Sequence, residues 1–444
     1  MARLRWRNDR AAAQIGLDTL SDDQWIAHFA RFEPLPGNLP RPLALRYHGH
    51  QFGQYNPELG DGRGFSFAQC RADDGRWLEL GTKGSGQTPY SRFGDGRLTL
   101  KGAVRELLAS EMLEALGVPT SRTLSIIETG EALVRGDEPS PTRSAVLVRQ
   151  SHGHIRIGSF QRLAYLGEAT NIEALARYCL TSLYGMADDC LSASEVAVTL
   201  LGEACGRIAR LAASYMVAGF VHGVLNSDNI SLSGESFDYG PWRFAPTWDA
   251  AFTAAYFDHG SLYAFGRQPA AIHWNLGQLA VSLRAISDAE PLIDSLNNFG
   301  DAYRGALGGQ LCWRLGYAAR DLEADAVLAR ALEAWLVTSQ IGIDAAFIRW
   351  SAGGARDGDG ADGDGRGAAA LTAALYGRTP VRAPWWDDAP PQSMHIERVE
   401  AIWAAIDSAD DWQPLYDAVG AIRAMGSALG PSPAQQYVLP AGIA

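Results

Sequence analysis

Two neighbouring stretches of the chain carry oxygen ligands and a candidate base at spacings suited to chemistry on a phosphate. In His222-Gly-Val-Leu-Asn-Ser-Asp-Asn229 an aspartate directly precedes an asparagine, and Phe237-Asp-Tyr-Gly240 follows closely. The Asn229 amide oxygen and the Asp238 carboxylate are the kind of donor pair used by Mg2+ sites that take their other ligands from water and phosphate. Asp228 is a candidate acceptor for a hydroxyl proton, although an aspartate in such a loop also serves to close a turn. Upstream, Leu59-Gly-Asp-Gly-Arg-Gly64 is a turn whose Gly60, Gly62 and Gly64 let the backbone approach phosphates closely, with Arg63 adding charge. Only two of the 38 basic residues are lysines, Lys83 and Lys101, so a retained lysine is informative. A compact ammonium is not interchangeable with a planar guanidinium.

The elements that must position these residues can be read from periodicity. Phe65 to Cys70 and Trp77 to Thr82 read as strands, the second ending at Lys83. Val104, Leu107, Leu108, Met112, Ala115 and Leu116 recur at helical spacing, and Gly117 to Pro119 closes that helix. Two of its carboxylates, Glu106 and Glu111, lie on different faces, and either qualifies as a partner for Lys83. Further strands are expected at Ser121 to Glu128 and Ala145 to Arg149, giving a small sheet with one helix. Met1 to Gln14, with four arginines and no apolar signal stretch, reads as a first helix. From Ile172 helices dominate: Ser194 to Tyr215, Trp274 to Ala285 and Leu322 to Ile341. Short strands are expected at Ile230 to Leu232 and Ser236 to Asp238. Gly353 to Gly367 is almost entirely Gly, Asp, Ala and Arg and reads as a linker. Its Asp357-Gly-Asp-Gly-Ala-Asp run lacks the frame of a calcium loop. Beyond it one helix, Ile396 to Ile406, is expected.

Composition excludes several classes. With 47% hydrophobic and 20% charged residues, and no apolar run near the roughly 20 residues that span a bilayer, the chain reads as a water-soluble protein without membrane contact. A net charge of -12 argues against a broad nucleic-acid surface. Five scattered cysteines form no C-x-x-C pair, which points to a reducing cytoplasm rather than to disulfides or zinc. The pairs His48/His50 and His152/His154 lack a third recurring ligand and read as loop histidines.

Protein-kinase catalytic loops read H-x-D-x-x-x-x-N, followed by D-F-G. Here Asn229 falls in register and Asp238-Tyr-Gly stands for D-F-G, but Val224 occupies the place of the catalytic aspartate. An apolar side chain cannot accept a hydroxyl proton, so phosphotransfer by that route is disfavoured.

These motifs, together with Gly49-His-Gln-Phe-Gly53, Thr82-Lys-Gly-Ser-Gly-Gln-Thr-Pro-Tyr-Ser-Arg-Phe-Gly-Asp-Gly-Arg97, Ile155-Arg-Ile-Gly-Ser-Phe160, Tyr263-Ala-Phe-Gly-Arg-Gln-Pro269 and Trp274-Asn-Leu276, stand in one order over residues 47 to 285. In them the chain resembles the selenoprotein O family (SelO, also called YdiU), kinase-like enzymes regarded as protein adenylyltransferases. The resemblance implies an α+β, two-lobed protein-kinase-like fold: a sheet-containing lobe over 1–160, a helical lobe over 161–350, a flexible linker over 351–370 and a divergent helical tail over 371–444. It implies ATP bound in the reverse sense to kinases and AMP transferred to Ser, Thr or Tyr hydroxyls of protein substrates. Gly60, Gly62, Arg63, Lys83, Asp95, Gly96, Arg149 and Arg156 would contact the nucleotide. Asn229 and Asp238 would hold Mg2+ or Mn2+, Asp228 would be the base, and Glu106 the partner of Lys83. A monomer acting in the cytoplasm is expected. The alternatives are an ATP-dependent phosphotransferase and an inactive nucleotide-binding scaffold. No cysteine follows Cys312, so redox control through a terminal cysteine is not supported, and the tail after the Gly/Asp stretch carries no motif recognisable as the family's C-terminal segment.

Overall fold

A computed structural model describes residues 2–136, 138–354 and 365–436, without the side chains of 365 and 366. The chain opens with strand β1 (Arg3–Arg7) and helices α1 (Asp9–Ala13) and α2 (Asp22–Phe29). A small hairpin, β2 (Gly49–Gln51) and β3 (Gln54–Asn56), precedes β4 (Gly64–Arg71), β5 (Trp77–Lys83), the short β6 (Leu98–Thr99), α3 (Leu100–Ala115), β7 (Arg122–Leu133) and β8 (Thr142–Ser151). Helices then prevail: α4 (Ile157–Tyr165), α5 (Ala169–Tyr178) and the long α6 (Ala193–Ala218). Two brief strands, β9 (Phe220–Val221) and β10 (Arg243–Phe244), lead to α7 (Gln268–Leu283), α8 (Ala289–Asn297), α9 (Phe299–Leu315), α10 (Leu322–Ser339) and α11 (Ile343–Trp350). The last elements are α12 (Gly365–Leu375), α13 (Ile396–Ala409), α14 (Gln413–Leu429) and α15 (Pro433–Gln436).

The main sheet is antiparallel in the order β1-β7-β8-β5-β4, with β6 paired to β8. Alternation along β8 sends Ala145 and Leu147 into the core shared with α3, whereas Val148 packs on the other face with Trp25, Phe29 and Phe67. Thr99 starts α3 by accepting from the Gly102 N–H at 3.1 Å. A capping box between Ser192 and Glu195 starts α6, and left-handed Gly219 ends it. The described residues thus form a mixed α/β arrangement with a small antiparallel main sheet and two short two-stranded pairs, β2–β3 and β9–β10. No helix among the described residues is long and apolar enough to cross a membrane.

Three expectations are corrected. The N-terminus is not a helix at its start, because Leu4 and Trp6 alternate with arginines and β1 pairs with β7. Arg5 and Arg143 both grip Glu128 across that edge. Residues 230–238 form no strands, only single bridges from Ser231 to Arg156 and from Ser236 to Thr120. Their backbone is shared between two loops instead: Ile157 N–H donates to the Ile230 carbonyl at 3.1 Å and Ser121 N–H to that of Ser236 at 2.9 Å. The C-terminal segment holds more than one helix. Leu415, Val419, Ile422, Met425 and Leu429 recur along α14 as its buried stripe. The Gly/Asp-rich stretch read as a linker lies, over 355–364, outside the described residues.

Helix α3 is deeply packed, with Val104, Leu107, Leu108 and Met112 fully buried. Leu107→Ala is therefore expected to lower the unfolding free energy by about 2–5 kcal/mol in urea titrations, and a cost under about 1 kcal/mol would contradict this packing.

Candidate active site

Lys83 ends the strand flanked on both sides, facing Gly64 of β4 and Leu147 of β8. Its side chain is buried and forms ion pairs with Glu106 of α3 and, at 2.7 Å, with Asp238 Oδ1. The two helix carboxylates are thereby told apart. Glu111 turns away and receives both Nε and Nη2 of Arg423 at 2.8 and 2.6 Å.

Asp238 has φ of 61°, a left-handed conformation uncommon for a residue with a side chain, and this turn aims its carboxylate at Lys83. Arg149 Nη1 lies 3.5 Å from the same oxygen. Burial acts to raise the Asp238 pKa, but Lys83, Arg149, Arg63 and Arg156 outweigh it and hold the group well below the carboxylate range. Phe237 supports the cluster as a platform, with the guanidinium carbons of Arg149 and Arg156 5.5 and 4.8 Å from its ring centre. On its other side Arg156 lies 4.2 Å from the centre of the Tyr47 ring.

Asp228 and Asn229 lie in a single tight turn, Ser227–Asn229. Arg156 Nη1 donates to the Asp228 carbonyl at 3.1 Å. The Asp228 side chain is buried, and its Oδ1 has no hydrogen-bond partner among the described residues. Burial pushes this carboxyl up to about 6, against the pull of Arg156. Asn229 donates its Nδ2 to the Val224 carbonyl at 2.9 Å, which turns its amide oxygen the other way. The β2–β3 hairpin secures the turn from outside. His50 N–H donates to Ser227 Oγ at 2.7 Å, and Phe52 N–H to Asn226 Oδ1 at 3.1 Å. His48 and His50 have polar partners in Tyr55 and Gln161, while His152 lies between two carbonyls and His154 against Glu79.

The glycine-rich turn is locked to the loop that follows Lys83. Thr88 Oγ1 donates to the Asp61 carbonyl at 2.6 Å, and Ser91 Oγ to that of Gly62 at 2.5 Å. A Cβ at Gly60 would overlap the Tyr90 ring, so the glycine there serves loop-to-loop contact as well as open access. Gly96 has φ of 71° and meets the Gly86 backbone directly. Asp95 receives Arg135 at 2.8 Å; burial acts to raise its pKa, but the hydrogen bonds from Arg135 and the Arg97 N–H outweigh it and leave it lowered.

These parts enclose a cleft of about 580 Å³. Of the residues singled out by sequence, Gly60, Gly62, Arg63, Lys83, Asp95, Gly96, Arg149, Arg156 and Asp238 line it; Asp228 and Asn229 do not reach its wall and lie next to it, behind Arg156. Sequence reasoning missed Tyr47, Tyr90, Arg92, Phe93, Arg97 and Arg135 as lining residues. The 88–97 loop carried a usable signal in its basic and aromatic residues, whereas Arg135 is brought in only by the β7–β8 connection. Seven cationic side chains face three carboxylates in the lining, in a chain of net charge -12, so the cleft selects an anion. Arg149 Nε and Nη1 and Arg156 Nη2 are buried without hydrogen-bond partners among the described residues, and phosphate oxygens fit such donors. An ionised Asp238 and an outward amide oxygen on Asn229 likewise fit a hard divalent cation bound jointly with phosphate. Among the described residues no group of three or more His, Cys, Asp or Glu forms a self-sufficient metal site.

Residues 1–357 match the sequence model of the family described as protein adenylyltransferase SelO. A protein nucleotidyltransferase YdiU from Synechocystis is 49% identical over 71% of this chain and 65% of its own length. That from Gloeobacter violaceus is 42% identical over 95% of this chain and 90% of its own, and that from Synechococcus elongatus 48% identical over 78% and 70%. With most of its length matched by the family model and relatives more than 40% identical, the chain belongs to the SelO family of protein adenylyltransferases.

Proposed function

We propose that this chain transfers AMP from ATP to Ser, Thr or Tyr hydroxyls of protein substrates, in a cleft between two kinase-like lobes, 1–160 and 161–350, with 351–370 joining a helical tail over 371–444. The observation that carries the reading is the buried cluster of Lys83, Arg149 and Arg156 around Asp238, with Asp228 directly behind Arg156. In this reading the deep cations receive the β- and γ-phosphates, and the α-phosphate faces Asp228. The acceptor oxygen bonds to the α-phosphorus as the bond to the bridging oxygen breaks. Pyrophosphate leaves with the negative charge, and the hydroxyl proton passes to Asp228. Lys83, Arg149 and Arg156 stabilise that charge in a site of low polarity. Asn229 and Asp238 would hold Mg2+ or Mn2+, which when bound neutralises phosphate charge. Val224, at the position of the kinase base, supports a pseudokinase that breaks a different bond of ATP.

Incubation with ATP labelled at the α- or γ-phosphate tests the reaction: protein-bound label is expected from the α-position, and label from the γ-position alone would establish a kinase. Lys83→Ala is expected to cost about 2–4 kcal/mol of transition-state stabilisation in kcat/KM. Asp228→Asn should lower kcat by about 10²- to 10⁴-fold while nucleotide affinity is retained, and an unchanged kcat would remove it as the base.

A further inference from the structure

Glu106 reaches Lys83 only if α3 holds its place, and α3 is held along its whole length by residues beyond 395. At its start, Lys101 pairs with Glu400 of α13 at 2.7 Å. At its middle, Arg423 of α14 clasps Glu111 through two nitrogens at 2.6 and 2.8 Å, and Glu111 is only 4% exposed. In its last turn the Glu114 carbonyl accepts from Gln435 Nε2 at 2.8 Å, and past its end Ser432 Oγ donates to the Gly117 carbonyl at 2.5 Å. Between these, Gly426 lies so close to Ala115 that an added Cβ would come within 2.9 Å of its Cα. A buried carboxylate held bidentately by a guanidinium fixes both distance and rotation. Glu111 and Glu106 share one rigid helix, so fixing the first sets the second.

We propose that Arg423 is a positioning residue for the transfer reaction: by holding Glu111 it sets the rotation of α3, and through it the Lys83–Glu106 pair. The C-terminal helices, which follow the residues 1–357 matched by the family model, are then a brace that the active arrangement requires. The rate effect rests on the AMP-transfer reading, whereas the effect on α3 does not.

The test uses the full chain with Arg423→Met, Glu106→Gln and the double variant. Arg423→Met is expected to lower kcat for AMP transfer by about 3- to 30-fold with the KM for ATP little changed, and to quicken hydrogen exchange of the α3 amides by a similar factor. In the Glu106→Gln background it should have no further effect on kcat. A loss that multiplies undiminished in that background would assign Arg423 a general structural role and overturn the proposal, as would unchanged exchange in α3. Should Arg423→Met not fold, Arg423→Lys, which keeps the charge but cannot clasp both oxygens, reads the same cycle. A wild-type chain that transfers no AMP would sink the function while leaving the exchange measurement to decide the brace.

Discussion

A single ammonium group taken out of water organises the site. Lys83 is 3% exposed, and an ion so buried costs several kcal/mol unless partners surround it. Glu106 and Asp238 supply them, from a helix and from a loop far apart in the chain. Without Lys83 the Glu106 carboxylate would be buried with no ion pair, so sheet, helix and loop become mutually dependent. The strained backbone of Asp238 fits this view, since a left-handed aspartate persists only where its surroundings determine it.

Around this triad the chain concentrates arginine. Arg149 and Arg156 retain unmatched buried donors because their planar groups stack on Phe237 and Tyr47, which compensates part of their desolvation without occupying every N–H. The same stacking aims them into the cleft. Phe237 therefore serves the electrostatics of the site by positioning both guanidinium groups, though it carries no charge.

The C-terminal helices extend that interdependence. α14 contributes a buried apolar stripe to the main core and a guanidinium to α3, so one element supplies both stability and alignment. Arg423 of α14 partners the buried Glu111 carboxylate, which has no other ion pair among the described residues.

The sequence alone determined the strands around Lys83, the helix bearing Glu106 and Glu111, and the order of glycine-rich turn, lysine, catalytic loop and Asp238, because these rest on local periodicity and turn chemistry. It also carried the alternation of β1, which the arginines of that strand mask. Its local pattern did not determine which glutamate meets Lys83, a choice made only by the family resemblance, nor that Gly60 makes room for Tyr90, nor that Arg135 reaches the cleft. Nor did it reveal that residues 230–238 bond to two loops rather than to a ladder, or that Arg423 holds Glu111. Those are pairings between distant segments. They are decided by which faces the packed core leaves opposite one another, and no window of neighbouring residues contains that information.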